Sequence, residues 1–475
     1  MNILTKIKNF LTPIKQLDVY KRGFYEGSKI TGANKDFWNS NTDFETTATP
    51  ERDMLRSRAR WLSANNAIMD NIDNAIINNC IGTGITLQSR TSNDTFNKQV
   101  EKEFKKWAID KNKCDVTGRF TFYDIQRLIL KTRMVDGEVF IYKKITKGGL
   151  QLQLIEADAL DSSRKDGGIE LDSVGKVVKY HFVDLNYKKY AINSEYIINY
   201  YMATRVTQVR GISEYAQAIL DLKNFSAFQS ASIQGARARA NIAYAVKQEG
   251  SPDPFGADVK EKIQTINGVS VMYLSHGDSI SKLDPDSVAT DYVQFSENTI
   301  RLIATARKVS YELAFRDYSK VNFASSRASL LQDYKRFDLE QEHLENYILT
   351  DIYTTWLKMA VLSGVIKQQG VFRNPEKWIM PKWIMPKRDL VDPLKEITAI
   401  EKKIKLNLTT ETDVANSEGE DYEDILRKKA DEIALKEKYG VPDYTLMPNK
   451  NEDMSGKTGL DTNITGAEKP KKEKK

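Results

Sequence analysis

Phe225–Ala240 reads FSAFQSASIQGARARA, and its poverty in large apolar side chains decides how the rest of the chain is read. It closes a longer segment, Ser213–Ala240, that has no proline and only Gly235 as a glycine, so the composition predicts one long helix. Side chains as small as Ala231, Gly235 and Ala236 cannot fill an ordinary core, yet they let another helix come close. Read alone, the segment is a surface helix.

Working outward, Asn241–Ser287 returns to short strands around GSPDPFG and SHGD, and Tyr292–Val309 resumes helical spacing. YELAFRDYSKVNF, with little periodicity, leads into a helical pattern of about 40 residues with Leu330, Tyr334, Phe337, Leu344, Ile348, Ile352 and Leu357 on its apolar side. Ser325 or Ser326 is placed to cap that helix, its oxygen accepting backbone N–H bonds. With no histidine beside it, a nucleophilic serine is not expected.

Upstream, apolar residues from Trp61 to Cys80 fall at helical spacing, stopped by Gly82 and Gly84. A second amphipathic helix runs from about Tyr123 to Arg133. QLQLIEA, GKVVKYHFV and YIINYYM read as strands, which makes this half a mixed α+β domain. Helical spacing also recurs in Asp392–Tyr439, at Tyr422, Ile425, Leu426 and Ile433.

The 475 residues suffice for two to four domains, and a hydrophobic share of 40% against 29% charged is that of a folded, water-exposed protein. No apolar run approaches the roughly 18 residues of a membrane span, and MNILTKIKNFLTPIKQLDVYKR lacks a continuous apolar signal core, so neither membrane nor export is expected. Two cysteines, Cys80 and Cys114, do not build a disulfide framework. The net charge of +6 comes from 71 basic and 65 acidic residues, a near balance that excludes tight gripping of many phosphates.

Catalytic signatures are sparse. His181, His276 and His343 stand far apart, without the pattern of a metal site or a serine triad. Ser455–Thr458 suggests a phosphate loop, but Asn451 occupies the position that needs glycine. Asp136 and Glu138 read as turn residues at strand ends. Glu156, Asp158 and Asp161 could hold Mg²⁺, which keeps a metal-dependent nucleic-acid-processing enzyme as an alternative.

Six segments in order carry a family resemblance: RSRARWLSANNAIMDNIDNAIINNCIGTGITLQS, FTFYDIQRLILKTRMVDGEVFIYK, LQLIEADALDS, GIELDSVGKVVKYHF, TQVRGISEYAQAIL and NFASSRASLLQDYKRF. Together they resemble the lambda-type portal proteins of tailed bacteriophages, over Arg52 to Gly440. The resemblance implies a homo-oligomeric ring, usually of twelve copies, at one capsid vertex, with double-stranded DNA in its channel. It implies terminase large subunit, major capsid and scaffold proteins and a head-tail adaptor as partners, host cytoplasm during assembly, and no cofactor or catalysis.

The implied fold is α+β: an N-terminal arm (1–50), a wing (51–210), a stem helix (211–240), a small α/β clip (241–290), a second stem helix (291–310), a tunnel loop (311–326), a long helix returning to the wing (327–386), crown helices (387–447) and a disordered basic tail (448–475). Arg316, Tyr318, Lys320 and Arg327 are the expected DNA-channel contacts. Ala231, Gly235 and Ala236 are the expected subunit-packing positions. A head-completion protein other than the portal is a further alternative. The tandem WIMPKWIMPK, Trp378–Lys387, repeats five residues where one copy is expected.

Overall fold

The computed structural model describes residues 44–440 apart from 165, 185, 248–262, 267–268, 275–285, 321 and 389–391. The expected arm up to residue 43, the loops around GSPDPFG and SHGD with His276, the phosphate-loop look-alike and the basic tail lie outside the described residues.

Helix α1 spans Phe44–Asn65 and α2 spans Ala67–Cys80. The single helix expected from Trp61 to Cys80 is therefore two, because the Asn66 side chain accepts from the amides of Ile68 and Met69 at 3.1 Å and starts a new helix. Gly82 (φ +54°) follows the end of α2 and directs the chain into β1, Thr86–Ser89. Helix α3 (Asp94–Ile109) and α4 (Phe122–Asp136) come next; Thr121 and Asp124 form a capping box on α4.

Gly137 (φ +95°) turns α4 into β2, Glu138–Thr146, which pairs antiparallel with β3 (Gly149–Ile155) and with β7 (Ile197–Tyr201). A side chain at Gly137 would collide with the backbone of Ile212, so the position excludes every other residue. Between β3 and β7 a second antiparallel sheet holds β4 (Ile169–Leu171), β5 (Val177–Val183) and β6 (Lys189–Asn193). The strands expected at QLQLIEA, GKVVKYHFV and YIINYYM are β3, β5 and β7. Alternation along β2 sends Val139 and Ile141 into the main core and Phe140 into a smaller one with Tyr180 and Phe182.

Helix α5 runs over Ile219–Asn241, six residues later than Ser213. The Glu214 amide donates to the Met134 carbonyl at 3.0 Å, which pins residues 214–218 into turns before the helix can start. Strand β8 (Ile242–Lys247) follows directly, and β9 (Ile263–Ile266) and β10 (Val269–Leu274) complete a small sheet in the order β8-β10-β9. Helix α6, Asp286–Ala306, returns beside α5. It begins and ends earlier than the expected Tyr292–Val309.

Tyr311–Phe315 is a one-turn helix within the segment expected as loop. Helix α7 (Phe323–Leu344), a π turn at Glu345–Leu349, and α8 (Thr350–Leu362) form one rod, as the long periodicity predicted. Strand β11, Pro381–Ile384, then pairs with β1. The two WIMPK copies do different things: Trp378 meets Phe96 edge-on at 4.9 Å, whereas Trp383 in β11 is buried against Phe104 and Tyr353.

Residues 387–440 form a separate compact unit with helices α9 (Pro393–Lys405), α10 (Glu411–Ser417) and α11 (Tyr422–Tyr439). Neither α9 nor α11 contains a buried residue. No helix among the described residues is long and apolar enough to cross a membrane.

Candidate functional site

The loop after α6 is built by short-range polar contacts. Ser310 caps Tyr311–Phe315, accepting from the Leu313 amide at 3.2 Å, and is itself held by Asp333 of α7 through its amide (2.8 Å) and hydroxyl (2.6 Å). Arg316, in the left-handed region at φ +57°, ends that turn. Asp317 then accepts from the amide and hydroxyl of Ser319 at 3.0 and 2.6 Å, which holds its carboxyl below the usual range. At the far side Asn322, not Ser325 or Ser326, is the N-cap of α7. Its side chain accepts from the Ser325 amide at 2.8 Å while the Ser325 hydroxyl accepts from the Asn322 amide at 3.2 Å, so the serine serves the cap from the third helical position.

The loop cations are not all loose. Arg316 and Tyr318 are exposed and Arg327 is half-buried on the first turn of α7. Lys320, one of the expected DNA-channel contacts, pairs with Glu297 of α6, which raises the Lys320 pKa and lowers that of Glu297. Glu297 also holds Arg301 at 3.2 Å, and the Arg301 guanidinium lies 5.0 Å over the Tyr311 ring. Nothing local in the sequence marks Glu297 as the partner, because the pair spans two elements.

Beneath this loop lies a charged node that sequence reading missed. Arg307, just past α6, pairs with Asp73 of α2 at 2.8 Å, and Asp73 accepts from the Tyr215 hydroxyl at 2.6 Å. Arg133 of α4 pairs with Glu340 of α7 at 2.5 Å and with Glu214. Glu214 also holds Arg336 at 3.0 Å and Arg307 at 3.4 Å, and Arg336 reaches Glu340 at 3.3 Å. Three arginines thus face three carboxylates, with Asp73, Arg133, Arg307 and Glu340 all fully or nearly fully buried.

Burial alone would raise the Glu214 carboxyl, but Arg133, Arg307 and Arg336 hold it far below the usual range. Burial dominates at Asp73, whose pKa is raised in spite of Arg307 and Tyr215. The node fastens both roots of the α5–α6 hairpin to the sheet-bearing half of the chain. Its sequence signal is a charge on an apolar helical face, as with Arg133 between Leu130 and Met134 and Glu340 after Phe337.

The hairpin changes character along its length. Leu222 and Phe225 of α5 are buried, and Phe228 stacks with Tyr292 of α6 at 5.5 Å and meets Phe295 at 4.4 Å. Ala231, Gly235 and Ala236 are exposed, and a Cβ added to Gly235 would meet nothing within 4 Å.

Comparison with known proteins places this architecture. The model of the family described as phage portal protein, lambda family, matches residues 31–341, well over half of the chain. The chain belongs to the lambda family of phage portal proteins. It is 26% identical over 434 residues to the probable portal protein of Halomonas phage phiHAP-1, covering 82% of each chain. Against portal protein B of Escherichia phage lambda it is 20% identical over 483 residues, covering 88% of this chain and 91% of the relative. Among solved structures, a chain from the neck of an empty GTA particle matches with a TM-score of 0.42 and 10% identity, over 78% of this chain and 94% of that one.

The acids considered for a metal enzyme are taken up by arginines and a lysine in this portal-family chain. Arg60 pairs with Asp136 (2.5 Å), Glu156 (3.0 Å) and Asp158 (2.5 Å), and Arg56 also holds Asp158 at 2.6 Å. Asp161 is drawn away to Lys189 at 2.8 Å. Their lone pairs are directed at cations of the protein itself, and no group of three metal-ligating side chains is arranged for an ion among the described residues. Asp136 and Glu138 do flank the Gly137 turn at the start of β2, and both are committed to ion pairs there: Asp136 binds Arg60, and Glu138 is fully buried against Arg210 at 2.5 Å and the Gly211 amide at 3.0 Å. His181 faces Glu170 at 3.0 Å, and His343 lies between the rings of Tyr200 and Tyr347, burial lowering its pKa.

Proposed function

We propose that the chain assembles into a ring at one capsid vertex, usually of twelve copies, through which double-stranded DNA is packaged and ejected. The observation that carries this reading is the α5–α6 hairpin, fixed at its roots by a buried charge node and lined along its far half with small exposed side chains. In the ring, residues 51–210 form the wing, α5 and α6 the stem, the β8-β10-β9 sheet the clip, and α9–α11 the crown. Residues 311–326, with the Tyr311–Phe315 turn inside them, form the tunnel loop between the stem and the long helix. Ala231, Gly235 and Ala236 pack against the neighbouring copy, where closeness matters more than bulk.

Arg316, Tyr318, Lys320 and Arg327 face the DNA. Contacts of this kind touch phosphates without reading bases, and few of them per subunit keep affinity low enough for DNA to slide. The near-balanced charge of the whole chain suits such a conduit. Energy for translocation comes from a terminase large subunit docked on the ring; major capsid and scaffold proteins hold the vertex and a head-tail adaptor closes it. The ring assembles in the host cytoplasm and ends in the virion. Negative-stain imaging of the purified chain tests the reading: rings with a central hole are expected, and a population of single chains at assembly concentrations would reject it.

A further inference from the structure

Among the described residues, one apolar surface is left uncovered. Between α1 and the start of α5, Leu55, Trp61, Ile219 and Leu220 line an open groove of about 670 Å³, with Arg58 and Lys223 at its rim. Trp61 is 64% exposed there, a large apolar ring facing water. Neither Arg58 nor Lys223 has an ion-pair partner among the described residues. The occupant must therefore present an apolar anchor with negative charge beside it.

The first 43 residues as a whole carry the sign of the rim, with seven basic side chains against four acidic ones, although Asp36 does stand beside Phe37 and Trp38. The exposed face of α7 does fit. Leu339 is 63% exposed on it, Asp338 precedes it, and Glu342 follows one turn later with no ion-pair partner among the described residues. We infer that this groove receives the Leu339 face of α7 from a second copy of the chain, with Glu342 set against Arg58 and Lys223. Groove and anchor are different patches of one chain, so the contact is head-to-tail, and each copy offers one of each to its two neighbours. The inference rests on the ring reading but adds a contact away from the stem, at the root of the hairpin.

The test uses the full chain with Trp61→Cys and Leu339→Cys together and a short bis-maleimide cross-linker; the native Cys80 and Cys114 are buried. Covalent multimers from the double variant, and none from either single variant, are the expected result. Rings seen by imaging without cross-linked multimers would overturn the contact and leave the ring standing. Cross-linked multimers without rings would do the reverse. Single chains without cross-links would reject both. In a second arm, Arg58→Glu with Lys223→Glu raises the concentration needed for assembly at least tenfold without changing the melting of the single chain, and adding Glu342→Arg restores part of it. A charge reversal without effect on assembly would contradict the proposed electrostatic match.

Discussion

The two halves of helix α5 are one helix with two different environments. At its root, Leu222 and Phe225 are buried in the chain's own core and the charge node stands beside them; along its far half, Ala231, Gly235 and Ala236 face outward. A helix whose stability came from a single chain would carry large apolar residues along one face throughout. The root is therefore a question of folding. The far half is a question of what approaches it.

The largest effect is expected at the root. Glu214→Ala removes the shared partner of Arg133, Arg307 and Arg336, two of them fully buried, and loss of one member of such a buried set costs about 3 to 5 kcal/mol. Denaturant unfolding of the residue 44–386 region should show this loss, whereas an unchanged midpoint would mean the node contributes nothing. The same group sets a pH dependence. Because the folded-state pKa of Glu214 is depressed, its stabilisation is complete above the unfolded value of about 4.3 and is lost as pH falls below it toward the folded value. Glu214→Gln should remove that component of acid destabilisation.

Next in size, Trp383→Ala should cost about 3 to 5 kcal/mol, since it empties a buried site beside Phe104 and Tyr353. Trp378→Ala, in the other WIMPK copy, should cost clearly less because that ring is only partly buried. Equal losses would erase the distinction between the two copies.

At the far half the expectation inverts. Ala236→Phe should leave the single chain's melting within about 0.5 kcal/mol, as an exposed substitution does, yet overpack every copy-to-copy contact by roughly 1 to 3 kcal/mol. Rings forming at normal concentration with Ala236→Phe would remove this surface from the interface. Smallest in stability is the loop: Arg316→Ala with Lys320→Ala breaks only the exposed pair to Glu297 and should leave rings assembled while impairing DNA packaging or retention. Full-length packaging at normal yield by that double variant would reject a DNA-facing role for both side chains.

Periodic features were readable in advance. The strands β3, β5 and β7 and the α7–α8 rod follow directly from alternation and helical spacing, which local sequence carries. Boundaries were read less well, because they depend on single side chains meeting backbone groups: Asn66 breaks a continuous helical pattern, Asn322 takes the cap expected of a serine, and Glu214 is tied to Met134 before α5 starts. Of the node, only single charges on apolar helical faces, Arg133 and Glu340, were legible, and not their pairing. Its members run from Asp73 to Glu340, and only the tertiary fold brings them within ion-pair distance. In the loop the residue types were legible, but the clasp of Lys320 by Glu297 was not, for the same reason.

Amide hydrogen exchange along α5, measured on dissociated single chains and on assembled rings, tests most directly the claim that one helix is held by its own chain at the root and by its neighbours beyond. Residues 219–225 should be protected in both states, and residues 231–236 should gain protection only in the ring. Equal protection of residues 231–236 in both states, or none in the ring, would contradict the account.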